Sequence, residues 1–195
     1  AGAVADEILQ AMLKGRDLLK AYVNNGGDIA LHLAQGEAFT LGVVNNVDNP
    51  AIDATVSLNA SMPVRGLATS GWRGRSQSLG IADTVTVFAA DAAAADAAAT
   101  MIANAVNVDH AAIVRVPARA RRADSDLGDL PVTVEVGALP AWARAEALAN
   151  GCEWARELQR QGLIYAAYLA LQGDVRAVLP ADTPIAQTLR RTAGG

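Results

Sequence analysis

One stretch, residues 83–106, constrains the fold of this chain more than any other. It begins with a run of strand character, Asp83–Ala90, in which valine alternates with threonine. Asp91 follows at a position suited to an N-cap, because its carboxylate can accept hydrogen bonds from the free amides of a first helical turn. The chain is then almost entirely alanine as far as Val106, and alanine is the strongest helix former. The sequence therefore predicts a strand that leads directly into a long helix.

Asp96 and Thr100 interrupt this alanine helix four residues apart, so that both side chains point from one face. An aspartate in a helix interior costs roughly 0.5 kcal/mol relative to alanine, and the small neighbours would let a backbone or a ligand approach closely. A carboxylate and a hydroxyl suit a hard cation such as Mg²⁺. From the spacing alone, a solvated polar face is the simpler explanation.

Charge and cysteine content exclude several classes of protein. The 195 residues carry a net charge of −4, which does not favour binding to nucleic acid or to an anionic membrane. The single Cys152 excludes an internal disulfide and a cysteine-cluster metal site, and it fits a reducing compartment. No apolar run approaches the ~20 residues needed to cross a bilayer, so we expect a cytoplasmic protein. Because the chain lacks an initiator methionine, we expect an N-terminal truncation that could have removed a signal peptide or part of a site.

The remaining patterns predict an α+β fold with a mostly antiparallel sheet, because consecutive strands are joined by short turns. We expect one domain over residues 1–180 and a tail over 181–195. The predicted helices are residues 4–15, with Val4, Ile8, Leu9, Met12 and Leu13 as the apolar face, and 140–162. The predicted strands are 21–33 as a hairpin around Gly26–Gly27, 39–44, a pair at 55–60 and 64–70, 111–116, 132–136, and a hairpin over 163–179, with loops at 45–53 and 117–130.

No nucleophilic triad can be assembled from this sequence. His32 alternates with leucines in a strand and is expected to be structural, and His110 is expected at the surface. Cys152 lies in an amphipathic helix, where a small buried thiol is the default. The loop containing Gly71, Arg73, Gly74 and Arg75 could hold phosphate through amides and guanidinium groups.

Three segments together resemble a known family. Asn24–Ile29, Ala68–Arg73 and the run from Val85 to Thr100 occur in the order seen in ApbE-type flavin transferases, which are Mg²⁺-dependent FAD:protein FMN transferases. In those proteins a GGD turn, an SG loop and an ADxxxT helix build the flavin and metal site. The chain is most similar to the uncharacterised ApbE-like branch, whose runs SLGIADxVTV, DSDLGD and VTVxVG match segments 78–87, 124–129 and 132–137. The resemblance covers about residues 1–179 and implies a two-layer, T-fold-like arrangement.

The resemblance also implies site residues and cofactors. Asp96 and Thr100 would be metal ligands for Mg²⁺, and FAD or FMN would be the flavin. Gly26, Gly27 and Asp28 would form the nucleotide-side turn, and Ser70 and Gly71, followed by Arg73, the flavin-side loop. The chain departs from the transferases after that loop, since it has neither their His nor their DPxTG stretch. No catalytic residue can therefore be carried over.

Two hypotheses about function follow. In the first, the protein is a divergent transferase in which a cation at Asp96 and Thr100 neutralises a pyrophosphate or related leaving group. In the second, it is a binding or accessory component that does not transfer flavin, and sulfur assimilation is the process suggested for parts of this branch. Retention of Asp96 and Thr100 favours the first, and the missing His segment favours the second. The expected partner is a flavin or nucleotide, and an exposed sheet edge would permit a homodimer.

Overall fold

The computed structural model of this protein describes residues 1–43, 54–74 and 76–180. Its helices and strands confirm most of the predicted elements. The helices are α1 Gly2–Leu13, α2 Ala92–Ala105, α3 Ala118–Arg121 and α4 Ala141–Arg160. The strands are β1 Lys20–Asn25, β2 Asp28–Leu33, β3 Ala38–Val43, β4 Ala54–Asn59, β5 Gly66–Ser70, β6 Thr84–Ala89, β7 Ile113–Pro117, β8 Pro131–Val136, β9 Ala166–Leu171 and β10 Asp174–Val178.

The strands form one large sheet and two hairpins. Six strands lie in the order β1-β2-β5-β6-β9-β10, and every neighbouring pair is antiparallel. Strands β3 and β4 pair with each other, as do β7 and β8. The α+β class with a mostly antiparallel sheet is therefore confirmed.

The two faces of the large sheet bury different elements. Val85 and Val87 of β6 and Leu169 of β9 are fully buried in a cluster with residues of α2 and α4. Phe88, which points to the opposite face of β6, packs instead in a cluster with residues of β3 and β4. Strand β6 is thus covered on both faces, and α2 lies at the centre of the helical layer.

Helix α2 begins with two carboxylate caps, of which the sequence predicted one. The Ala94 N–H donates to Oδ1 of Asp91 at 2.7 Å, so the predicted N-cap is confirmed. Asp6 of α1 accepts from the N–H of Ala92 at 3.0 Å and of Ala93 at 2.8 Å. These bonds satisfy the amides of the first turn and attach α1 to α2.

Backbone segments approach α2 closely at both of its ends, as the alanine content predicted. A Cβ on Gly66 would lie 1.9 Å from the carbonyl carbon of Asp91, and one on Gly2 would lie 2.1 Å from the oxygen of Ala92. At the other end, a Cβ on Gly80 would lie 2.0 Å from the oxygen of Ala103. The absence of side-chain bulk on the helix and on these three glycines is what allows the contacts.

The predicted strand pair over 55–60 and 64–70 is wrong. Strand β4 pairs with β3, whereas β5 pairs with β2 and β6. Between β4 and β5, the guanidinium of Arg65 donates to the carbonyl oxygens of Ala60, Met62 and Val64 at 2.6–2.8 Å. These bonds satisfy main-chain carbonyl groups of the segment that connects the β3–β4 hairpin to the large sheet. This segment is a crossing connection and not a tight turn.

Two further predictions need correction. Helix α1 exists as expected, and Leu9 of its predicted apolar face is buried. Val4, Ile8 and Met12 of that face are exposed, however, and the small residue Ala5 is buried in their place. The predicted loop 117–130 contains the four-residue helix α3, which is too short to give a periodic pattern. Its acidic and basic residues do pair, since Arg119 Nε lies 2.8 Å from Asp129 Oδ1.

Three predictions lie outside the described residues: the loop 45–53, Arg75 and the tail 181–195. Among the residues that are described, none of the helices has the length and apolar character required to span a bilayer.

Cys152 is expected to be unreactive in the native protein. Its side chain is 3% exposed, and burial raises the pKa of the thiol, although Arg156 and Arg176 oppose that effect. At mildly alkaline pH the native protein therefore carries less thiolate than an exposed cysteine would. We expect a disulfide reagent to modify native Cys152 about tenfold or more slowly than the same protein in concentrated guanidinium chloride. Equal rates in the two states would contradict the burial of this side chain.

Candidate functional site

Several turns and strand ends lie together at one end of the large sheet. The register places Ile29 opposite Leu67, Ser70 opposite Val85, and Thr84 opposite Ala170. Since all neighbours are antiparallel, residues 26–27, 70–71, 83–84 and 172–173 share this end, which we call the turn end. The predicted GGD turn and SG loop are thus brought to the same side of the molecule.

The ladder between β2 and β5 is short toward the turn end. In the described part of the chain, its pairs are Ile29 with Leu67 and Ala30 with Gly66. β5 pairs with β6 over its whole length, from Gly66 to Ser70, and β2 pairs with β1 from Asp28 to Leu33. The ladder between β2 and β5 therefore ends before it reaches the Gly26–Gly27 turn and Ser70.

The turn between β1 and β2 has the geometry that its glycines require. Gly26 and Gly27 have φ values of 74° and 112°, which side chains other than glycine rarely adopt. The Gly27 N–H also donates to Oδ1 of Asn24 at 2.9 Å. The glycines are therefore explained by the hairpin, and the turn places Asp28 at the first position of β2.

Asp28 and Asp96 converge on one nitrogen atom. Oδ2 of Asp96 accepts from the Ala1 nitrogen at 2.7 Å and from the Gly2 N–H at 2.9 Å. Oδ2 of Asp28 lies 4.0 Å from the same Ala1 nitrogen, and the Asn25 side chain donates to the Ala1 carbonyl at 3.1 Å. Two carboxylates predicted from separate motifs are therefore brought to one point.

The electrostatics of this point favour an ionised Asp96. Burial raises the pKa of its carboxyl, but the hydrogen bonds that it accepts from the Gly2 N–H and from the Ala1 nitrogen lower the pKa by more in combination, so the pKa lies below its usual value.

Thr100 lies one helical turn beyond Asp96 and is exposed. Its i+4 spacing places it on the same face of α2 as Asp96. Within residues 1–43, 54–74 and 76–180, no group of three or more His, Cys, Asp or Glu side chains could hold a metal ion. A cation at this point would accordingly have few protein ligands.

The SG loop is held by contacts that the sequence analysis did not anticipate. A Cβ on Gly71 would lie 2.3 Å from the main-chain oxygen of Asp83, so glycine is required there. Arg73, predicted to contact a ligand, donates from Nε to Oδ1 of Asp83 at 3.0 Å. Its guanidinium also lies 4.6 Å from the centroid of the Trp72 ring.

Asp83 is the residue of this region whose importance sequence reasoning missed, because it was treated only as the start of a strand. Its side chain is 14% exposed. The sequence did contain a signal for this ion pair. Asp83 is an acidic residue directly before a buried strand, and it follows shortly after a loop that contains Trp72 and Arg73.

The contacts that the structure gives the two histidines, His32 and His110, are with residues other than Asp28 and Asp96. Nε2 of His32 lies 2.9 Å from the carbonyl oxygen of Leu18, which agrees with the structural role predicted for it. Nδ1 of His110 accepts from the Ala112 N–H at 3.1 Å, and its ring lies 6.1 Å from that of Trp142. His110 is half-buried, not fully at the surface as predicted.

The sequence is similar to archaeal proteins named UPF0280. It is 42% identical over 98 residues to the UPF0280 protein of Methanothermobacter thermautotrophicus. The aligned segment covers 49% of this chain and 36% of that protein. It is 37% identical over 111 residues to the UPF0280 protein of Methanothrix thermoacetophila, and this alignment covers 56% of the chain and 45% of the relative. It is 35% identical over 104 residues to the UPF0280 protein of Methanocaldococcus jannaschii, with 53% of the chain and 43% of the relative covered. The matches span less than half the length of these relatives.

A family-wide comparison covers much more of the chain. The model of the family described as AbpE bacteria matches residues 1–177, which include the turn end, α2 and all the strands as far as Ala177. The motifs that led to the ApbE-like expectation therefore lie within a match of nearly the whole described fold. The chain belongs to the AbpE bacteria family and is an ApbE-like protein.

Proposed function

We propose that the turn end binds a flavin or adenine nucleotide together with a Mg²⁺-type cation. The observation that carries this proposal is the convergence of two carboxylates, since Oδ2 of Asp28 and Oδ2 of Asp96 lie 4.0 and 2.7 Å from the same atom, the Ala1 nitrogen. Asp28 directly follows the Gly26–Gly27 turn, and Asp96 lies about one helical turn from the start of α2. Membership of the ApbE-like family supports a flavin as the ligand.

The side chains at this point fit a hard cation. They offer two carboxylates, from Asp28 and Asp96, and the hydroxyl of Thr100, and Mg²⁺ prefers oxygen ligands. Mg²⁺ also keeps several waters, which suits a position with few protein ligands.

The chemistry follows from these charges. A divalent cation bound by Asp28, Asp96 and Thr100 would neutralise the charge that develops on a pyrophosphate leaving group. Asp96 is ionised at neutral pH, as aspartate ordinarily is, so it carries a charge that attracts the cation. The loop at Ser70 and Gly71 would orient the flavin side of the ligand. In this proposal the protein is a divergent metal-dependent transferase.

A second candidate function is binding without group transfer. The observation that favours it is the ion pair between Arg73 and Asp83 at 3.0 Å, which engages a guanidinium predicted to hold phosphate. The absence of the His and DPxTG segment of the transferases points the same way. In that case the protein serves as a flavin- or nucleotide-binding accessory component.

Calorimetric titration tests the proposal. FAD, FMN and ADP are titrated into the full chain with and without Mg²⁺, and the titrations are repeated with Asp96→Asn. We expect Mg²⁺-dependent binding to the wild type, weakened about tenfold or more in the variant, because the isosteric amide lacks the charge that attracts the cation.

The matched control is Asp91→Asn, which removes a carboxylate from the same helix while asparagine preserves the N-cap. It is expected to bind as the wild type does. If no ligand binds in any combination, the proposal is wrong and Asp96 is structural. If ligands bind, incubation with FAD and a hydroxyl-containing acceptor protein then distinguishes transfer from binding alone.

A further inference from the structure

Asp83 joins two chain segments at the turn end through a single carboxylate. Its Oδ1 accepts from Nε1 of Trp72 at 3.3 Å and from Nε of Arg73 at 3.0 Å. Its Oδ2 accepts from the main-chain N–H of Gln172 at 2.5 Å. Because the carboxylate is mostly buried, its bonds to Arg73 and to the amide are screened less than those of a surface pair.

The first segment is the loop 71–74 that follows Ser70. Besides the side-chain bonds to Asp83, the Trp72 N–H donates to the carbonyl oxygen of Ala82 at 3.0 Å. Gly71 packs against the main-chain oxygen of Asp83 at a distance that admits no Cβ. The indole of Trp72 is thus held between the carboxylate of Asp83 and the guanidinium of Arg73.

The second segment is the turn between β9 and β10. Gln172 is the one non-glycine residue with positive φ, 46°, among those that the structure describes, and such a backbone persists only where neighbours hold it. Its side chain accepts from the Leu139 N–H at 3.0 Å and donates to the Gly137 oxygen at 2.8 Å. Asp83 therefore links the loop 71–74, through Gln172, to the connection between β8 and α4.

We infer that Asp83 is a positioning residue that sets the conformation of the loop 71–74 and thereby orients Ser70 and Gly71 toward their ligand. The inference rests on the proposed function for the identity of that ligand. Arg73 acts in this arrangement as part of the support of the loop, since Asp83 balances its charge. Removing the charge of Asp83 would weaken the hold on Trp72 and Arg73, so that the loop can shift at Gly71, directly after Ser70, while β5 stays paired with β6.

Trp72 provides a direct probe of this role. The chain has three tryptophans, and Trp142 and Trp154 are exposed by 58% and 47%. Phe at both of those positions leaves Trp72 as the single tryptophan, which excitation beyond the absorption band of the three tyrosines selects. In this background Asp83→Asn is expected to shift Trp72 emission to the red and to raise its acrylamide quenching about twofold, since the indole loses a charged acceptor. Binding of FAD with Mg²⁺ is expected to weaken about fivefold or more.

Asp174→Asn is the matched control. Asp174 is paired with Arg144 by the same kind of contact, Nε to carboxylate at 2.8 Å, and it lies at the start of β10 at the turn end, where its ion pair is with α4. Its removal is expected to leave Trp72 emission and quenching unchanged. Arg73→Gln is a milder second variant that leaves Asp83 in place, and it is expected to raise the quenching of Trp72.

The outcomes separate the inference from the proposed function. Unchanged Trp72 emission and quenching in Asp83→Asn and Arg73→Gln would overturn the inference, as would an equal change in Asp174→Asn. Stronger or unchanged FAD binding in Asp83→Asn would also overturn it. If the wild type binds no FAD, the proposed function is wrong, and the fluorescence of Trp72 alone decides whether Asp83 positions the loop.

Discussion

Replacing Gly66 by alanine is expected to lower the free energy of unfolding by about 3 kcal/mol or more. The new Cβ would lie 1.9 Å from the carbonyl carbon of Asp91, 2.0 Å from its oxygen and 2.2 Å from the nitrogen of Ala92. These are main-chain atoms at the start of α2, so no side-chain rotation relieves the overlap. Either β5 or the helix must move, and β5 lies between β2 and β6.

Thermal and chemical denaturation measure this effect. For a chain of this length, 3 kcal/mol corresponds to a decrease in Tm of about 6 °C or more. Gly137→Ala is the control, because its Cβ would find its nearest atoms at 3.4 Å, an ordinary contact, with no positive φ to strain. That variant should melt within about 2 °C of the wild type. Similar losses in both variants would show that the close approach of Gly66 to α2 is not the cause.

Gly80→Ala is expected to be comparably destabilising at the other end of α2, again by about 3 kcal/mol or more. Its Cβ would lie 2.0 Å from the oxygen of Ala103 and 2.9 Å from Cα of Asn104. The segment cannot shift freely, because Ile81 donates to the Val106 oxygen at 2.8 Å and Leu79 donates to Oδ1 of Asn104 at 2.9 Å. Relief of the overlap must break these bonds.

Hydrogen exchange distinguishes this variant from Gly66→Ala. The Thr133 N–H donates to the Ser78 oxygen at 2.8 Å, so movement of the segment 78–80 is expected to accelerate exchange at Thr133 in Gly80→Ala. The same amide should be protected in Gly66→Ala under conditions where both proteins are folded. A Gly80→Ala protein with wild-type Tm and wild-type exchange at Thr133 would contradict the packing described for α2.

The parts of the fold that were predicted correctly depend on local chemistry. The strand over 84–89, the Asp91 cap and the alanine helix α2 follow from alternation, capping and propensity within one short stretch. The hairpin at Gly26–Gly27 likewise follows from two residues that tolerate positive φ. Such features need no knowledge of distant residues.

The failures concern contacts between residues far apart in sequence. Strand β4 was paired with β5 because they are adjacent in the chain, but the partners of β5 are β2 and β6. The same limit explains why the hydrogen bond between Asp83 and Gln172, which are 89 residues apart, was not predicted. It also explains why Asp6 was not predicted to cap a helix 86 residues away. For the site, the motifs supplied Asp28 and Asp96, but their proximity could only come from the fold.

The double capping of α2 disfavours anion binding at the N-terminus of this helix. A helix N-terminus commonly receives phosphate, because its amides and dipole favour negative charge. Here those amides are bonded within the protein to Asp6 and Asp91, at the end of the sheet opposite the turn end. A phosphate arriving there would meet two fixed negative charges and no vacant amide in the first turn from Ala92 to Ala94. The protein thus places its own carboxylates where other helices bind phosphate, so the amides of the first turn of α2 are engaged within the fold.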